Sequence, residues 1–341
     1  MSIRTLIVDD SAFVRKVVRE MLSHSEDIKV VGAARDGEEA LELVAQLSPD
    51  VVTCDLTMPK LSGVDFVKRQ MALKPVAILL LSASPHDGGD VIEALEAGAF
   101  DFVQKPTALA TDTLLNIRAE LNAKVRAAGR APVANLLQPR KISREEFRPH
   151  ALKTDIVVLG ISTGGPQALR FLLPQLPANF PVPMAVVLHM PVGYTALFAE
   201  KLNEICDIEV TEAREGEKVV PGRVLIAQAG RHLAFRRDAA GATVTHLPVH
   251  PMELIHRPAV DVLFQSAAEV YQSRVLGVVM TGMGEDGKQG SAWIKAQGGI
   301  ILTEAEKSCV IYGMPRSVVE AGLSDAAIPL ESMAQEILKR L

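Results

Sequence analysis

The sequence has few of the residues that build cross-links, metal clusters and membrane spans. Its three cysteines, Cys54, Cys206 and Cys309, lie far apart and form no paired spacing. That excludes a disulfide framework and a cysteine-based zinc site, and it suits a reducing compartment. No stretch reaches the roughly 18 apolar residues of a membrane-spanning helix. The N-terminus has only a brief apolar run before Asp9 and Asp10, so no export signal is read there and a cytoplasmic location without membrane insertion is expected. A recognition-helix motif is also missing, and with a net charge of −5 nucleic acid is not the expected partner. What remains is a chain of 341 residues with 48% hydrophobic and 23% charged content. That suffices for two globular domains of ~100 to 200 residues each.

A change of composition marks where they divide. Residues 124 to 153 carry Lys124, Arg126, Arg130, Arg140, Lys141, Arg144, Arg148 and Lys153 against Glu145 and Glu146, so 8 − 2 = +6 here and −5 − 6 = −11 elsewhere. Pro132, Pro139 and Pro149 interrupt any regular pattern. This reads as a solvated basic tether between two acidic domains, with expected bounds of 1–125, 126–152 and 153–341.

In the first domain, acids close short apolar runs. Leu6 to Val8 lead into Asp9 and Asp10, Val51 to Thr53 into Asp55, Ala77 to Leu81 into Ser82, and Phe102 and Val103 into Lys105 and Pro106. Such runs, separated by helical patterns, read as buried parallel strands, whose carboxyl ends gather reactive groups in an open α/β sheet. Crowded carboxylates favour a hard divalent cation such as Mg²⁺, and Lys105 adds a positive charge opposite them. The arrangement suits transfer of a phosphoryl group to a carboxylate.

These residues resemble the receiver domain of two-component systems, a flavodoxin-like (βα)5 fold. The resemblance implies Asp55 as the phospho-acceptor, Asp9 and Asp10 as metal-binding acids, and Thr57 as a backbone-carbonyl ligand of Mg²⁺. It implies Ser82 as the switch hydroxyl, Phe102 as the switch aromatic and Lys105 as the phosphate-binding lysine. Met58, Pro59 and Gly63 reproduce the family's loop. A histidine kinase is the implied phosphodonor.

The second domain opens with the apolar run Ile156 to Leu159, then Gly160-Ile161-Ser162-Thr163-Gly164-Gly165 and a helical pattern from Pro166. A strand, a glycine-bounded turn and a helix can expose a serine at a helix N-terminus, which makes Ser162 a candidate nucleophile. A dinucleotide-binding loop is the rival reading. Against it, Ser162 replaces that fingerprint's second glycine and the next apolar run, Met184 to Leu188, ends in His189 instead of an acid. A serine hydroxyl needs a base, and His189 is placed to be one. The run Val275 to Met280 ends in Thr281-Gly282-Met283-Gly284-Glu285-Asp286-Gly287. This loop offers Asp286 or Glu285 to orient the histidine and backbone N–H groups for an oxyanion. The order Ser, His, acid differs from that of α/β-hydrolases. His246, His250 and His256 are interrupted by Pro248, Pro251 and Pro258 and are not read as a metal site. The segment from His256 to Phe264 reads as the start of a helix, explained mostly by core packing.

From about Asp155 onward the chain resembles the catalytic domain of the chemotaxis receptor methylesterases, which also deamidate glutamine. Gly160 to Gly165, His189-Met190-Pro191, His256 to Phe264 and Thr281 to Gly287 carry the resemblance. It implies a doubly wound α/β domain with a mainly parallel sheet. Ser162 would be its nucleophile, His189 its base and Asp286 its orienting acid, with the Met283 N–H as oxyanion donor and the Thr163 hydroxyl near the histidine. One departure is Ile161, where that family has a small residue. The implied protein is a monomeric, phosphorylation-activated hydrolase of glutamate methyl esters on chemoreceptors, needing no cofactor for hydrolysis. The alternative is a non-catalytic module whose second domain only binds a receptor or kinase.

Overall fold

The computed structural model describes residues 2–82, 87–105, 111–131, 151–252, 254 and 256–341, with 111–116 described by backbone alone. Pro106 and most of the tether, with Arg140, Lys141, Arg144 and Arg148, lie outside the described residues. The chain divides into two compact units, Met1–Gln138 and Pro139–Leu341.

In the first unit strands and helices alternate: β1 (Ile3–Val8), α1 (Ala12–Ser23), β2 (Ile28–Ala34), α2 (Gly37–Leu47), β3 (Val51–Asp55), α3 (Gly63–Leu73), β4 (Ala77–Ser82), α4 (Gly88–Glu96), β5 (Asp101–Gln104) and α5 (Thr111–Ala128). The strands form a parallel sheet in the order β2-β1-β3-β4-β5. Every position of β3 and β4 is buried, as expected of strands covered on both faces. Ser11, Asp36 and Ser62 start α1, α2 and α3 by accepting N–H groups of the first turn. The order of winding reverses between β1 and β3, so the ends of these two strands open a crevice at the switch point.

Helix α5 runs to Ala128, past the boundary expected at 125, because its buried stripe of Leu121, Val125 and Ala128 continues at helical spacing. Lys124 pairs with Asp101 and Glu120, while Arg126 and Arg130 reach Asp27. These three cations therefore serve the first unit. What is left for the tether is Arg140, Lys141, Arg144, Arg148 and Lys153 less Glu145 and Glu146, or 5 − 2 = +3.

The second unit consists of β6 (Ile156–Ile161), α6 (Gly165–Leu172), β7 (Met184–Leu188), α7 (Thr195–Asn203), β8 (Glu209–Glu212), β9 (Arg223–Ile226), β10 (Ala234–Arg237), β11 (Thr243–His246), α8 (Val260–Tyr271), β12 (Val275–Val279), α9 (Lys288–Ala296), β13 (Ile300–Glu304), α10 (Met314–Glu320), β14 (Ala326–Ile328) and α11 (Leu330–Lys339). Its parallel sheet has the order β14-β13-β12-β6-β7-β9-β8, and β10 and β11 form a separate antiparallel pair. The backbone N–H groups of Lys153 and Thr154 donate to the Leu341 carbonyl, tying the start of the unit to its last residue. Winding again reverses at the first strand: β7 lies on one side of β6 and β12 on the other.

Candidate active sites

At the crevice of the first unit, Asp9, Asp10 and Asp55 each present an oxygen within 4.8 Å of the others. Asp9 and Asp55 are buried and Asp10 is exposed. An oxygen-only set of this kind fits a hard cation that keeps part of its water shell. Lys105 Nζ lies 2.7 Å from Asp9 and 2.8 Å from Asp55. Burial pushes the Asp55 carboxyl above its ordinary pKa, and Lys105 offsets this only in part. For Lys105 burial acts downward, but the two carboxylates outweigh it and the ammonium is held. Ser82 is buried, its backbone carbonyl accepts the Lys105 N–H at 2.7 Å, and its hydroxyl donates to Asp87. Phe102 is turned inward, with Lys124 Nζ 5.7 Å from its ring centre. Thr57 is exposed beyond the strand end.

In the second unit, three consecutive strand ends converge. The Ser162 N–H donates to the Thr281 carbonyl at 2.9 Å, and the His189 N–H donates to Ile161 at 3.1 Å. The nucleophile candidate is thus pinned between the ends of β7 and β12. Asp286, and not Glu285, reaches the histidine: His189 Nε2 lies 2.8 Å from Asp286 Oδ2, whereas Glu285 is exposed and pairs with Lys288. The Asp286 carboxylate also accepts the N–H groups of Val260 and Asp261 at 2.8 and 2.9 Å, so it caps α8. Burial pushes its pKa up, but His189 and these two donors pull harder, and the net displacement is downward. An ionised acceptor on Nε2 requires the proton there, which leaves Nδ1 as the lone-pair nitrogen. Nδ1 is buried and has no partner among the described residues.

Thr281 organises the turn around Ser162. Its hydroxyl donates to the Thr163 carbonyl at 3.0 Å and accepts the N–H groups of Val310 and Ile311. Its own N–H donates to Glu304, a carboxylate with 0% exposure that also accepts from the Ser308 hydroxyl. The loop then passes close to the serine, since a Cβ on Gly282 would lie 2.8 Å from Ser162 Cβ. The next residue is Met283, whose N–H has no acceptor among the described residues. Thr163 is buried beside these groups.

Three further side chains act around His189 and Asp286. His256 stacks on His189 with ring centres 4.0 Å apart and planes within 17°. Asp261 Oδ1 accepts the N–H groups of Gly287 and Gly290 at 2.9 and 2.7 Å, and burial pushes its carboxyl up to about 6. His232 is buried, accepts the Ala259 N–H on Nδ1 and faces the Pro251 carbonyl with Nε2. Burial holds it below the ordinary histidine pKa. None of these roles is read from the sequence. Glu304 does carry a usable signal, an acid closing an apolar run as Asp55 does. His256 carries none, because its partner ring is supplied by the fold. His246, the other described histidine of its group to find a partner, pairs with Glu215.

The family model described as CheB methylesterase matches residues 157–337. A second, described as response regulator receiver domain, matches residues 5–116. A curated relative from Myxococcus xanthus, named protein-glutamate methylesterase/protein-glutamine glutaminase 5, is 49% identical over 97% of this chain and 96% of its own length. A relative of the same type from Thermotoga maritima is 39% identical over 99% and 98%. The crystal structure of the Thermotoga maritima CheB methylesterase catalytic domain superposes with a TM-score of 0.54 at 39% identity, covering 55% of this chain and 99% of that one.

Proposed function

The chain belongs to the CheB methylesterase family, with a receiver ahead of the catalytic unit, and from that premise we propose that Ser162, His189 and Asp286 perform its chemistry. The protein is a phosphorylation-regulated protein-glutamate methylesterase and protein-glutamine glutaminase of chemotaxis. The observation that supports the site best is the 2.8 Å bond from His189 Nε2 to Asp286, which leaves Nδ1 free at the strand end beside Ser162.

On this reading Ser162 Oγ attacks the ester carbonyl of a methylated glutamate while His189 Nδ1 takes its proton. The ionised Asp286 stabilises the imidazolium so formed. Charge on the carbonyl oxygen is met by the Met283 N–H, a kind of contact worth roughly 10²- to 10³-fold in rate. His189 then hands the proton to the leaving oxygen and methanol departs. Water, deprotonated by the same nitrogen, splits the acyl-enzyme and restores Ser162. With glutamine the leaving group is ammonia. Ser162 Oγ and His189 Nδ1 are not hydrogen-bonded in this structure, and such bonds commonly tighten only when substrate is bound. Thr163, held through its carbonyl by Thr281, supports the turn.

These groups supply nucleophile, base and oxyanion donor, so hydrolysis calls for no cofactor. In the receiver, Asp9, Asp10 and Asp55 with the Thr57 carbonyl would hold Mg²⁺, which neutralises charge during phosphoryl transfer to Asp55. Ser82, Lys105 and Phe102 respond to that transfer. The proposed units are a receiver ending with α5, a tether, and a catalytic unit from residue 153. We take the phosphodonor to be a chemotaxis histidine kinase, the substrates methylated chemoreceptors, and the protein a cytoplasmic monomer. A fluorophosphonate probe tests the site: it should label Ser162 in the native protein and nothing in Ser162→Ala. Absence of labelling in the folded native protein would leave a binding module in place of an enzyme.

A further inference from the structure

We infer that His256 is a positioning residue for the catalytic base, acting through its stack on His189, and this rests on His189 being that base. The bond from Nε2 to Asp286 holds one corner of the His189 ring. A ring held at one corner can still tilt about it, and tilting swings Nδ1 away from the serine. A second ring lying flat against it at 4.0 Å removes that freedom.

The stacking partner is itself anchored. The carbonyl of Arg257 accepts the Gly230 N–H at 2.9 Å, and the Ala259 N–H donates to the buried His232. One residue later, the Val260 N–H donates to Asp286. The stretch of backbone that carries the stacking ring therefore also holds the orienting acid, through the Val260 and Asp261 N–H groups at the entry to α8. Face and corner of the base are fixed by the same segment, so the ring keeps its plane when Nδ1 gains and loses a proton.

The test uses the full-length protein with His256→Ala, His256→Leu and His256→Phe, each also combined with His189→Ala. Misplacement of a reacting group costs up to about 10²-fold. His256→Ala and His256→Leu are therefore expected to lower kcat for methanol release by roughly 10- to 100-fold, with KM changed by less than about two-fold and the same loss in fluorophosphonate labelling. His256→Phe restores a flat ring and should recover to within about five-fold of native. In the His189→Ala background the His256 substitutions should add nothing, because no base is left to position. Native rates in His256→Leu, a rise in KM at unchanged kcat, a His256→Phe as slow as His256→Ala, or additive losses in the double variants would each overturn the inference. Failure of the underlying reading looks different: His189→Ala would then keep its activity whatever residue 256 is.

Discussion

Asp286 and Asp261 illustrate how one residue type takes two roles from its surroundings. Each carboxylate caps the helix at whose start the other lies: Asp286 accepts from the first residues of α8, and Asp261 accepts from Gly287 and Gly290 at the start of α9. Asp286 also has His189 and is held ionised, whereas Asp261 is pushed up to about 6 by burial, with Asp286 adding to it. A raised carboxyl pKa stabilises the fold below its unfolded value near 3.8, and that contribution is lost as pH rises through about 6. Both N–H groups reach the same oxygen, Oδ1, so Asp261→Asn can keep them without the charge. By thermal melting it should be at least as stable as the native protein at pH 8, with a gain of up to roughly 2 kcal/mol, and the advantage should shrink as pH falls below about 6 and vanish only near the unfolded value of 3.8. Asp261→Ala should lose about 1 kcal/mol as a missing cap. A native advantage over Asp261→Asn at pH 8 would show that the charge is needed. For the chemistry, Ser162→Ala should abolish methanol release by roughly 10⁴-fold or more with the fold unchanged by circular dichroism. Asp286→Asn should lose far more activity than Glu285→Gln, and the opposite order would move the acid to Glu285.

At the scale of elements, the loops that leave the strands decide where chemistry sits. The Thr281 to Asp286 loop presses on the Ser162 turn at Gly282, where a Cβ would meet both the Met314 sulfur and Ser162 Cβ. The methionine can swing aside, but the serine cannot without moving the nucleophile. Gly282→Ala should therefore cut kcat by roughly 10- to 100-fold at nearly constant KM and lose about 1 to 3 kcal/mol of stability. Native kcat in a stable variant would mean that the turn tolerates the shift. The same loops explain what was legible in the sequence. A parallel strand buried on both faces shows as an unbroken apolar run, so Asp55, Ser162 and His189 could be placed at strand ends from local pattern. Asp286 and Glu285 stood side by side and only the approach of β12 to β6 separates them. Ile161, the departure from the family's small residue, has a fully buried side chain that lies where position 165 is Gly, so that an added Cβ there would sit 3.1 Å from Ile161 and 2.6 Å from Leu188. The run of α5 to Ala128 was not legible, because the charge composition that suggested a tether from 126 masks an apolar stripe that continues at helical spacing. The His256 stack, the Thr281 hub and the His232 anchor were not legible, since each joins residues that only the folded backbone brings together.

For the whole molecule, the two units have separate sheets and separate switch points, and the residues proposed for each site belong to one unit. Since Ser162, His189 and Asp286, the proposed triad, all come from the second unit, control by the receiver is expected to act on access to the esterase cleft or on docking of substrate. The inward position of Phe102 and the link from Lys105 to both Asp9 and Asp55 give the receiver a local charge centre that phosphorylation would rearrange. Couplings between such sites typically amount to ~1 to 3 kcal/mol, or about 5- to 150-fold. If the resting receiver hinders the cleft, a fragment starting near Ala151 should demethylate receptor faster than unphosphorylated full-length protein by a factor in that range. An isolated fragment is a fair test because the superposed Thermotoga maritima structure is of the catalytic domain. Asp55→Asn in the full chain should stay at the resting rate with phosphodonor and Mg²⁺ present, since nothing can be transferred to the amide. A fragment that is folded, labelled at normal rate by a fluorophosphonate and yet no faster on receptor would rule out hindrance. The receiver would then act by bringing the enzyme to its substrate, and joining the fragment to a receptor-binding peptide should replace it.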